Sequence, residues 1–311
     1  MNYKKIGILK SFLGTPLRSS RELLFFCPKC KHHKKKLSVN LEKDKFKCWI
    51  CDYKGNSVTR LVRRWANQQQ QSQWPDLHNI AEKAELLELL NGTRESNPNQ
   101  KIELPKEFIS LVTNIDSLVS KRARNYLVSR GITFEDISKY KLGYCNTGKW
   151  KDRIIFPSFN TDGDVNYFIG RTYSNDYRKY MLPEADRNIV FNELMVDWDR
   201  DVILTEGVFD SVNAENSIPI LGSTLRKDSQ LFAKIIEKSP EIYMALDPDA
   251  EKKSQKIIDL FLKYGIMVYK IDLSPYEDLG CMPKDEFVKR KKEAVRYSDS
   301  TNILMSKLGM L

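Results

Sequence analysis

Four cysteines near the start of the chain are spaced as ligands of a single metal ion. Cys27 and Cys30 form one CxxC pair, and Cys48 and Cys51 form a second pair seventeen residues later. Each CxxC turn directs two thiolates at one ion, and two such pairs at this spacing are typical of a tetrahedral structural zinc site. Four sulfurs complete the coordination shell, so we predict one structural Zn²⁺ and no redox or catalytic role for these thiols.

Acidic side chains follow two apolar segments in the second half of the chain. Glu206 comes directly after VILT, and Asp247 and Asp249 come directly after IYMAL. If both segments are parallel strands, their carboxyl ends meet at the edge where α/β sheets bind ligands. An Asp-x-Asp turn can direct both carboxylates to one cation, and such oxygen ligands suit Mg²⁺ bound to phosphates. Acids at helix starts are often only caps, but their convergence here predicts a catalytic site for one or two Mg²⁺ or Mn²⁺ ions.

The elements that must position these acids alternate between strand and helix. Apolar runs predict strands at Asp201–Thr205, Ile218–Leu221, Glu241–Leu246 and Ile266–Leu273, with helical stretches between them. This alternation predicts a mainly parallel sheet covered by helices. Upstream, we predict strands at Arg153–Phe159, Asp164–Arg171 and Arg178–Leu182.

The positive charge is concentrated at one end of the chain. The 311 residues have a net charge of +10, whereas the first 65 alone have about +13 and the remainder about −3. A basic module of this kind faces phosphate or an anionic membrane. No segment has the roughly 18 apolar residues of a membrane span, and residues 1–14 lack the apolar run of a signal peptide. We therefore expect a nucleic-acid partner, no membrane, and a cytoplasmic location.

Basic and aromatic residues surround the cysteines. Lysine and arginine bind phosphate, and aromatic rings stack on bases, which is how single-stranded nucleic acid is held. From their types and positions, we assign this role to Lys34, Lys35 and Lys36, together with Arg60, Arg63, Arg64, Trp49 and Tyr53.

Several segments, in their order along the chain, resemble DNA primases of the bacterial DnaG type. They are RNYLVSRGITFEDISKYKLGYC, DRIIFPSFNTDGDVNYFIGR, RKYML, LTEGVFDSV, ILGS and ALDPDA, after the two cysteine pairs. Within this family the chain is similar to the single-polypeptide bacteriophage primases that work with a separate helicase. The resemblance implies a catalytic core containing a TOPRIM fold, in which EG and DxD lie at strand ends.

The resemblance also implies roles for individual acids. Glu206, Asp247 and Asp249 match the catalytic acids of the family, and Asp210 matches a further acid of its EGxxD segment. Asp278 is similar to a later metal-binding acid. Whether Glu206 acts as a metal ligand or accepts a proton stays open.

Basic residues of the catalytic core match positions that face template and nucleotides in the family. Arg171 in FIGR and Lys179 in RKY are the two clearest matches. Arg153 belongs either with them or beside the core as a structural arginine.

These features together predict an α/β chain with a small β-rich zinc ribbon at its N-terminus. We divide the chain into the zinc ribbon (1–65), a linker (66–104) containing a short helix at about 76–90, the first part of the primase core (105–200), a TOPRIM domain (201–285) and a C-terminal tail (286–311). The linker begins at 66 because ANQQQQSQW lacks apolar periodicity.

The implied activity is synthesis of short RNA primers on single-stranded DNA from ribonucleoside triphosphates. The resemblance adds a replicative hexameric helicase and a single-stranded-DNA-binding protein as partners, and the host-cell cytoplasm as location if a phage encodes the chain. Two alternatives remain at this stage. The same acids could serve a TOPRIM nuclease, and a zinc and TOPRIM combination also occurs in non-enzymatic recombination mediators.

Overall fold

Strands in the described residues form three five-stranded sheets, arranged one after another along the chain. The computed structural model describes residues 2–74, 101–113, 117–222 and 225–297, without the side chains of Asn2 and Asp249. The predicted helix at about 76–90 lies outside these residues. No helix in the described ranges is long and apolar enough to cross a membrane.

The first sheet belongs to an N-terminal module, residues 2–74. Its antiparallel strands are, in order, β1 (Leu17–Ser19), β2 (Glu22–Phe25), β3 (Leu37–Asn40), β4 (Lys45–Cys48) and β5 (Lys54–Gly55). Its helices are α1 (Asn2–Leu13), α2 (Val58–Trp65) and α3 (Gln68–Ser72). Leu37, Val39 and Phe46 pack in one apolar core with residues of α1 and α2. This burial stabilises a sheet too small to fold by strand pairing alone.

The module continues beyond the limit that the sequence indicated. Residues 66–74, which we predicted to begin the linker, include α3, and Asn67 forms a capping box with Gln70 at its start. Trp74 is 2% exposed, and its indole nitrogen donates to the Thr59 hydroxyl at 2.9 Å. Lack of apolar periodicity did not mean lack of structure here, because one buried tryptophan anchors the segment.

The second sheet is antiparallel throughout. Its strands are β6 (Phe108–Ser110), β7 (Gly143–Cys145), β8 (Arg153–Phe159), β9 (Val165–Thr172) and β10 (Tyr180–Met181), in the spatial order β10-β9-β8-β7-β6. Helices α4 (Leu118–Ser129) and α5 (Phe134–Lys139) precede β7. Their N-caps are Ser117 and Thr133, whose side chains accept hydrogen bonds from the first turn. A 3-10 turn at Glu193–Met195 leads from this part of the chain to the third sheet.

The third sheet is parallel except at one edge, which confirms the predicted α/β class. Its strands are β11 (Val202–Thr205), β12 (Ser217–Pro219), β13 (Ile242–Ala245), β14 (Val268–Lys270) and the antiparallel β15 (Val295–Arg296), in the order β12-β11-β13-β14-β15. The connecting helices are α6 (Val208–Val212), α7 (Gln230–Lys238), α8 (Glu251–Lys263) and α9 (Lys284–Glu293), with 3-10 turns at Pro248–Ala250 and Leu279–Cys281.

Apolar residues bury both faces of this third sheet. Ile235 and Ile258, from α7 and α8, pack on one face, and Phe287 of α9 packs on the other. The predicted tail at 286–311 therefore begins inside the fold, since β15 also pairs with β14. Val208 and Phe209 of α6 lie in the core of the second sheet. The second and third sheets are therefore joined through the packing of α6.

Candidate active site and metal centre

The four predicted zinc ligands lie together in the N-terminal module. Their Sγ atoms are all within 4.8 Å of one another, with Cys27 and Cys51 3.8 Å apart and Cys30 and Cys48 3.9 Å apart. Sulfurs about 2.3 Å from a zinc ion at the centre of a tetrahedron would be separated by about 3.8 Å. The donor set and its spacing therefore fit one structural zinc ion.

Local backbone geometry brings the two cysteine pairs to one point. Cys48 is the last residue of β4, and its amide donates to the Tyr53 carbonyl at 2.7 Å. Lys31 and Asp52 directly follow the two pairs and have positive φ angles of 49° and 54°. This left-handed backbone turns the chain sharply after each pair.

Glu206 and Asp247 lie at the same edge of the third sheet. Strands β11 and β13 are parallel neighbours, with Thr205 opposite Ala245. Glu206 directly follows β11, whereas Leu246 separates β13 from Asp247. The carboxyl ends of adjacent parallel strands thus place both acids at the same edge of the sheet. We call this edge the acid edge.

The Glu206 carboxylate is held on one side only. Its Oε1 accepts a hydrogen bond from Lys253 Nζ at 2.8 Å, and Oε2 is buried without a hydrogen-bond partner among the described residues. A buried oxygen without a partner is costly and calls for a ligand. Its chemistry fits a hard cation such as Mg²⁺.

Asp247 begins a 3-10 turn that carries the second predicted acid of the DPD motif. The Ala250 amide donates to the Asp247 carbonyl at 2.9 Å, closing this turn. Asp249 lies within it, but its side chain is outside the described part of the structure. Asp247 also lines a cleft of about 250 Å³ together with Lys270 and Asp272.

Asp210 and Asp278 form a second acidic pair beside the acid edge. Asp210 is 8% exposed and accepts hydrogen bonds from the amides of Gly207 at 2.9 Å and Gly280 at 3.2 Å. Asp278 accepts from the Cys281 amide at 2.7 Å. Burial, and then the nearby Asp278 carboxylate, raise the pKa of Asp210 to about 6. The pair therefore has negative charge that a cation would relieve.

The acids do not form a ready-made cluster like that of the cysteines. In the part of the chain that the structure describes, the four cysteines are the only group of three or more ligating side chains with donor atoms all within 4.8 Å. The acids instead follow β11 and β13 and lie at the turn Leu279–Cys281, without forming such a cluster.

Arg171 reaches this region through aromatic residues that the sequence analysis missed. It lies on β9 opposite Tyr180 of β10, and its guanidinium is 4.6 Å from the Tyr180 ring centre. Arg171 Nε also donates to the Tyr126 hydroxyl at 2.8 Å. The Tyr180 ring contacts Phe209, the neighbour of Asp210, with ring centres 6.5 Å apart. Tyr180 could have been noticed because it lies in the RKYML segment.

The other two predicted basic residues differ in exposure. Lys179 is exposed beside β10 and is available to a phosphate. Arg153 is buried, with 2% of its side chain exposed; it donates to the Arg178 carbonyl at 2.9 Å and pairs with Asp176. This burial and these two contacts favour the second of the two roles that we considered for Arg153, that of a structural arginine beside the core.

An exposed face of the N-terminal module keeps the basic and aromatic character that the sequence predicted. Trp49 is 63% exposed, with Lys47 Nζ 4.9 Å from its ring centre. Lys34 and Lys36 are exposed, and Lys35 Nζ lies 5.2 Å from the ring centre of Phe26. We call the surface formed by Phe26, Lys34, Lys35, Lys36 and Trp49 the zinc-module face.

Proteins named DNA primase are similar to this chain over most of its length. It is 23% identical over 316 residues to DNA primase of Helicobacter pylori strain J99, covering 83% of this chain and 54% of that protein. It is 25% identical over 218 residues to DNA primase of Enterobacteria phage T4, covering 59% of this chain and 60% of that protein. No family model matches the chain.

Solved structures decide the fold. The zinc-binding and RNA polymerase domains of Aquifex aeolicus primase match with a TM-score of 0.51 and 18% identity, covering 94% of this chain and 83% of that chain. A DnaG primase catalytic domain bound to single-stranded DNA matches with a TM-score of 0.54 and 19% identity, covering 73% of this chain and 84% of that chain. The chain has the fold of DnaG-type primases. The resemblance drawn from the sequence motifs is thereby confirmed.

The DnaG-type likeness covers only part of the bacterial relatives. The chain spans 36% of the DNA primase of Thermotoga maritima and 54% and 56% of the two Helicobacter pylori proteins. The likeness therefore supports the DnaG-type core and its zinc-binding module, while the activity of the whole relatives is a matter for proposal.

In this DnaG-type fold the N-terminal module is docked against the third sheet through arginines of α2. Arg60 Nη2 donates to the carbonyls of Asp199 at 3.0 Å and Arg200 at 3.2 Å. Arg63 Nη1 donates to the Tyr264 carbonyl at 3.2 Å, and Arg64 Nη1 to the Trp198 carbonyl at 2.9 Å, beside an ion pair with Asp199.

The prediction that these arginines bind nucleic acid is therefore wrong for the docked arrangement. These arginines hold the N-terminal module against the rest of the DnaG-type fold. Their guanidinium groups bind backbone carbonyls and acidic side chains there. Tyr53, which we expected to stack on a base, is 2% exposed and lies in the module's own core. Burial decided these roles, and the sequence carried no local signal of it.

Proposed function

We propose that this chain is a DNA primase that synthesises short RNA primers on single-stranded DNA from ribonucleoside triphosphates by metal-dependent nucleotidyl transfer. The observation that carries the proposal is the position of Glu206 and Asp247 at the ends of adjacent parallel strands, with Glu206 Oε2 buried and unpartnered among the described residues. The similarity to proteins named DNA primase supports it.

Primer initiation joins two nucleotides on a template. The 3′ hydroxyl of one attacks the α-phosphate of the other, and pyrophosphate leaves. The main requirements are alignment of the two nucleotides and neutralisation of the charge that develops on the phosphate oxygens.

The acids supply the metal-binding part of this requirement. Glu206, Asp247 and Asp249 would hold the metal, with Asp210 and Asp278 beside them. Mg²⁺ or Mn²⁺, when bound, would offset the triphosphate charge and stabilise the attacking and leaving oxygens. Glu206 Oε2 would take part, because Oε1 is already paired with Lys253.

Basic residues of the second sheet supply the phosphate-binding part. Arg171 is fixed by Tyr126 and Tyr180, so its guanidinium is ordered before any ligand arrives. Ordered donors contribute more to binding and orientation than mobile ones, because less side-chain entropy is lost. Lys179 is exposed nearby in sequence and adds a second positive charge.

The zinc-module face would hold the template strand. Lysines beside exposed aromatic rings provide charge for the phosphates and flat surfaces for unpaired bases. The zinc ion would fix the two turns that present Trp49 and the lysines. By family resemblance, we extend the proposal to a replicative hexameric helicase and a single-stranded-DNA-binding protein as partners.

The test is primer synthesis by the full chain carrying Asp247→Asn. The assay uses single-stranded DNA, labelled ribonucleoside triphosphates and Mg²⁺, and the matched control is Asp162→Asn in an exposed turn. We expect roughly a hundredfold loss of product with Asp247→Asn and none with the control, since the neutral amide weakens metal binding. Undiminished synthesis by Asp247→Asn would refute the site.

The same assay without ribonucleotides separates joining from cutting. A primase leaves the labelled DNA strand intact, whereas a nuclease that uses the same acids shortens it. Mg²⁺-dependent cleavage of DNA by the unaltered chain, lost in Asp247→Asn and with no RNA product, would replace our proposal by the nuclease alternative.

A further inference from the structure

Lys253 binds the carboxylate of Glu206 through its side chain. It lies in the first turn of α8, four residues after the DPD motif ends, and its Nζ is 2.8 Å from Glu206 Oε1. The side chain of Lys253 is 15% exposed, compared with 34% for Glu206. The lysine is therefore the more deeply placed partner, and the pair is partly shielded from solvent.

This pair connects the two chain segments that carry the acids. Glu206 follows β11, and Lys253 belongs to the segment that follows β13 and contains Asp247 and Asp249. The ion pair joins the residue that follows β11 to the helix α8 that follows β13, the neighbouring strand. It therefore fixes the distance between these two segments. It also fixes which Glu206 oxygen is occupied, because only Oε1 is bound.

Neighbouring lysines on α8 do not share this position. Lys252 and Lys256 are exposed, as expected for the solvent face of an amphipathic helix. Helical periodicity separates Lys253 from them, because Lys253 lies four residues before the buried Ile257, at the border of the buried face. From this border its side chain binds Glu206.

We propose that Lys253 is a positioning residue for Glu206, which occupies Oε1, offsets the charge of the carboxylate and leaves Oε2 free for a cation. This inference rests on the proposed function, since it assumes that Glu206 serves the metal site. It goes beyond the sequence motif that contains the acids, because that motif does not determine how the Glu206 side chain is oriented.

The proposal has two consequences that act in opposite directions. The ammonium charge repels a divalent cation bound a few ångströms away, so removing it strengthens cation binding. Unit and double charges about 5 Å apart in a water-like dielectric change affinity by roughly tenfold. Removing the lysine also frees Glu206 to rotate, so alignment is lost and turnover falls.

The test compares Lys253→Met, Lys253→Arg and the control Lys256→Met in the full chain with zinc bound. Binding of Mn²⁺ without nucleotide is followed by electron paramagnetic resonance, and primer synthesis gives kcat and KM. For Lys253→Met we expect about tenfold tighter Mn²⁺ binding together with about tenfold lower kcat and little change in KM. Lys253→Arg keeps the charge and should stay within about threefold of the unaltered chain in both measurements.

The outcomes separate this inference from the proposed function. Glu206→Gln is measured alongside, and it should weaken Mn²⁺ binding. If Glu206→Gln weakens binding while Lys253→Met binds Mn²⁺ and turns over like the control, the positioning role is refuted and the proposed function stands. If Glu206→Gln changes neither measurement, the assignment of Glu206 to the metal site is wrong. If Lys253→Met does not fold, weakened Mn²⁺ binding in a folded Lys253→Arg variant overturns the inference.

Discussion

Arg60 and Glu241 form an ion pair buried between the N-terminal module and the third sheet. Arg60 Nη1 lies 3.8 Å from Glu241 Oε1, and each side chain is 3% exposed. Asn56 completes the contact, because its backbone and side-chain amides donate to the two Glu241 oxygens at 2.6 and 3.1 Å. Glu241 directly precedes β13, and Asp247 follows that strand at its other end. The docking contact and the acid edge are therefore separated by about 20 Å, the length of six extended residues.

Removing one partner of this ion pair should strongly destabilise the docked module. Arg60→Met leaves the Glu241 carboxylate buried without its counterion, which costs about 3–5 kcal/mol. Replacing Glu241 by Met as well removes the unpaired buried charge, so the double variant should recover part of the lost stability. Free energies of unfolding from urea titrations measure both, with exposed Arg18→Met as control. The single variant Glu241→Met completes the comparison. A loss in the double variant equal to the sum of the two single losses would contradict a coupled pair.

The pH dependence of stability should show the burial of Glu241. Burial raises its pKa above the ordinary 4.5, while Arg60 and the Asn56 donors offset part of that rise. The folded state then holds the proton more tightly than the unfolded state does, so this group's contribution to stability falls as pH rises from 4.5 through the folded pKa.

A comparison with Glu241→Gln isolates this contribution from the other acids. The melting temperature of the unaltered chain relative to Glu241→Gln should decrease as pH rises above 4.5 and stay constant once pH exceeds the folded pKa. A difference that increases with pH would mean that Arg60 outweighs burial and that the pKa is lowered.

Loss of one cysteine ligand should release the metal and unfold the module. Cys48→Ser removes a buried ligand at the end of β4, and structural zinc contributes folding energy directly. We expect the variant to bind no zinc by elemental analysis and its N-terminal 74 residues to be cleaved rapidly by protease. Cys281→Ser, at an exposed cysteine outside the cluster, should keep both properties. Full zinc content in Cys48→Ser would disprove four-thiolate binding.

Trp49 should contribute to template binding more than an exposed ring elsewhere. Base stacking on an aromatic ring is worth about 1–3 kcal/mol, so Trp49→Ala should weaken binding of single-stranded DNA by roughly fivefold to a hundredfold. Tyr3→Ala, 86% exposed on α1, is the control. Fluorescence anisotropy with labelled DNA at fixed salt gives the two affinities. Equal effects of the two changes would remove Trp49 from the binding surface.

Arg171 should matter for nucleotide use rather than for folding. Arg171→Ala removes hydrogen bonds to a charged ligand, each worth about 1.5–3 kcal/mol, so kcat/KM for ribonucleoside triphosphates should fall roughly tenfold to a hundredfold. Arg226→Ala provides the control, because Arg226 is exposed and paired with Asp228. An unchanged kcat/KM in folded Arg171→Ala would place phosphate binding elsewhere.

The sequence by itself determined the features that depend on neighbouring residues. The two CxxC pairs define a metal site because each turn involves only neighbouring residues. The acids directly follow apolar strands in the sequence, so they lie at the strand ends wherever the sheet forms. The alternation of strands and helices likewise predicted the parallel sheet, because periodicity reports which face of an element is buried.

Tertiary structure alone decided which charged residues are free and which are covered. Arg60, Arg63 and Arg64 look in sequence like a nucleic-acid surface, yet they dock the module against residues more than a hundred positions away. Arg153 is likewise buried against Asp176, and Lys253 turns inward to Glu206. The sequence of a segment gives its charge but not which surface of the protein will cover it. Packing between distant elements settles that, and here it separates the residues that hold the fold together from those that stay exposed on the zinc-module face.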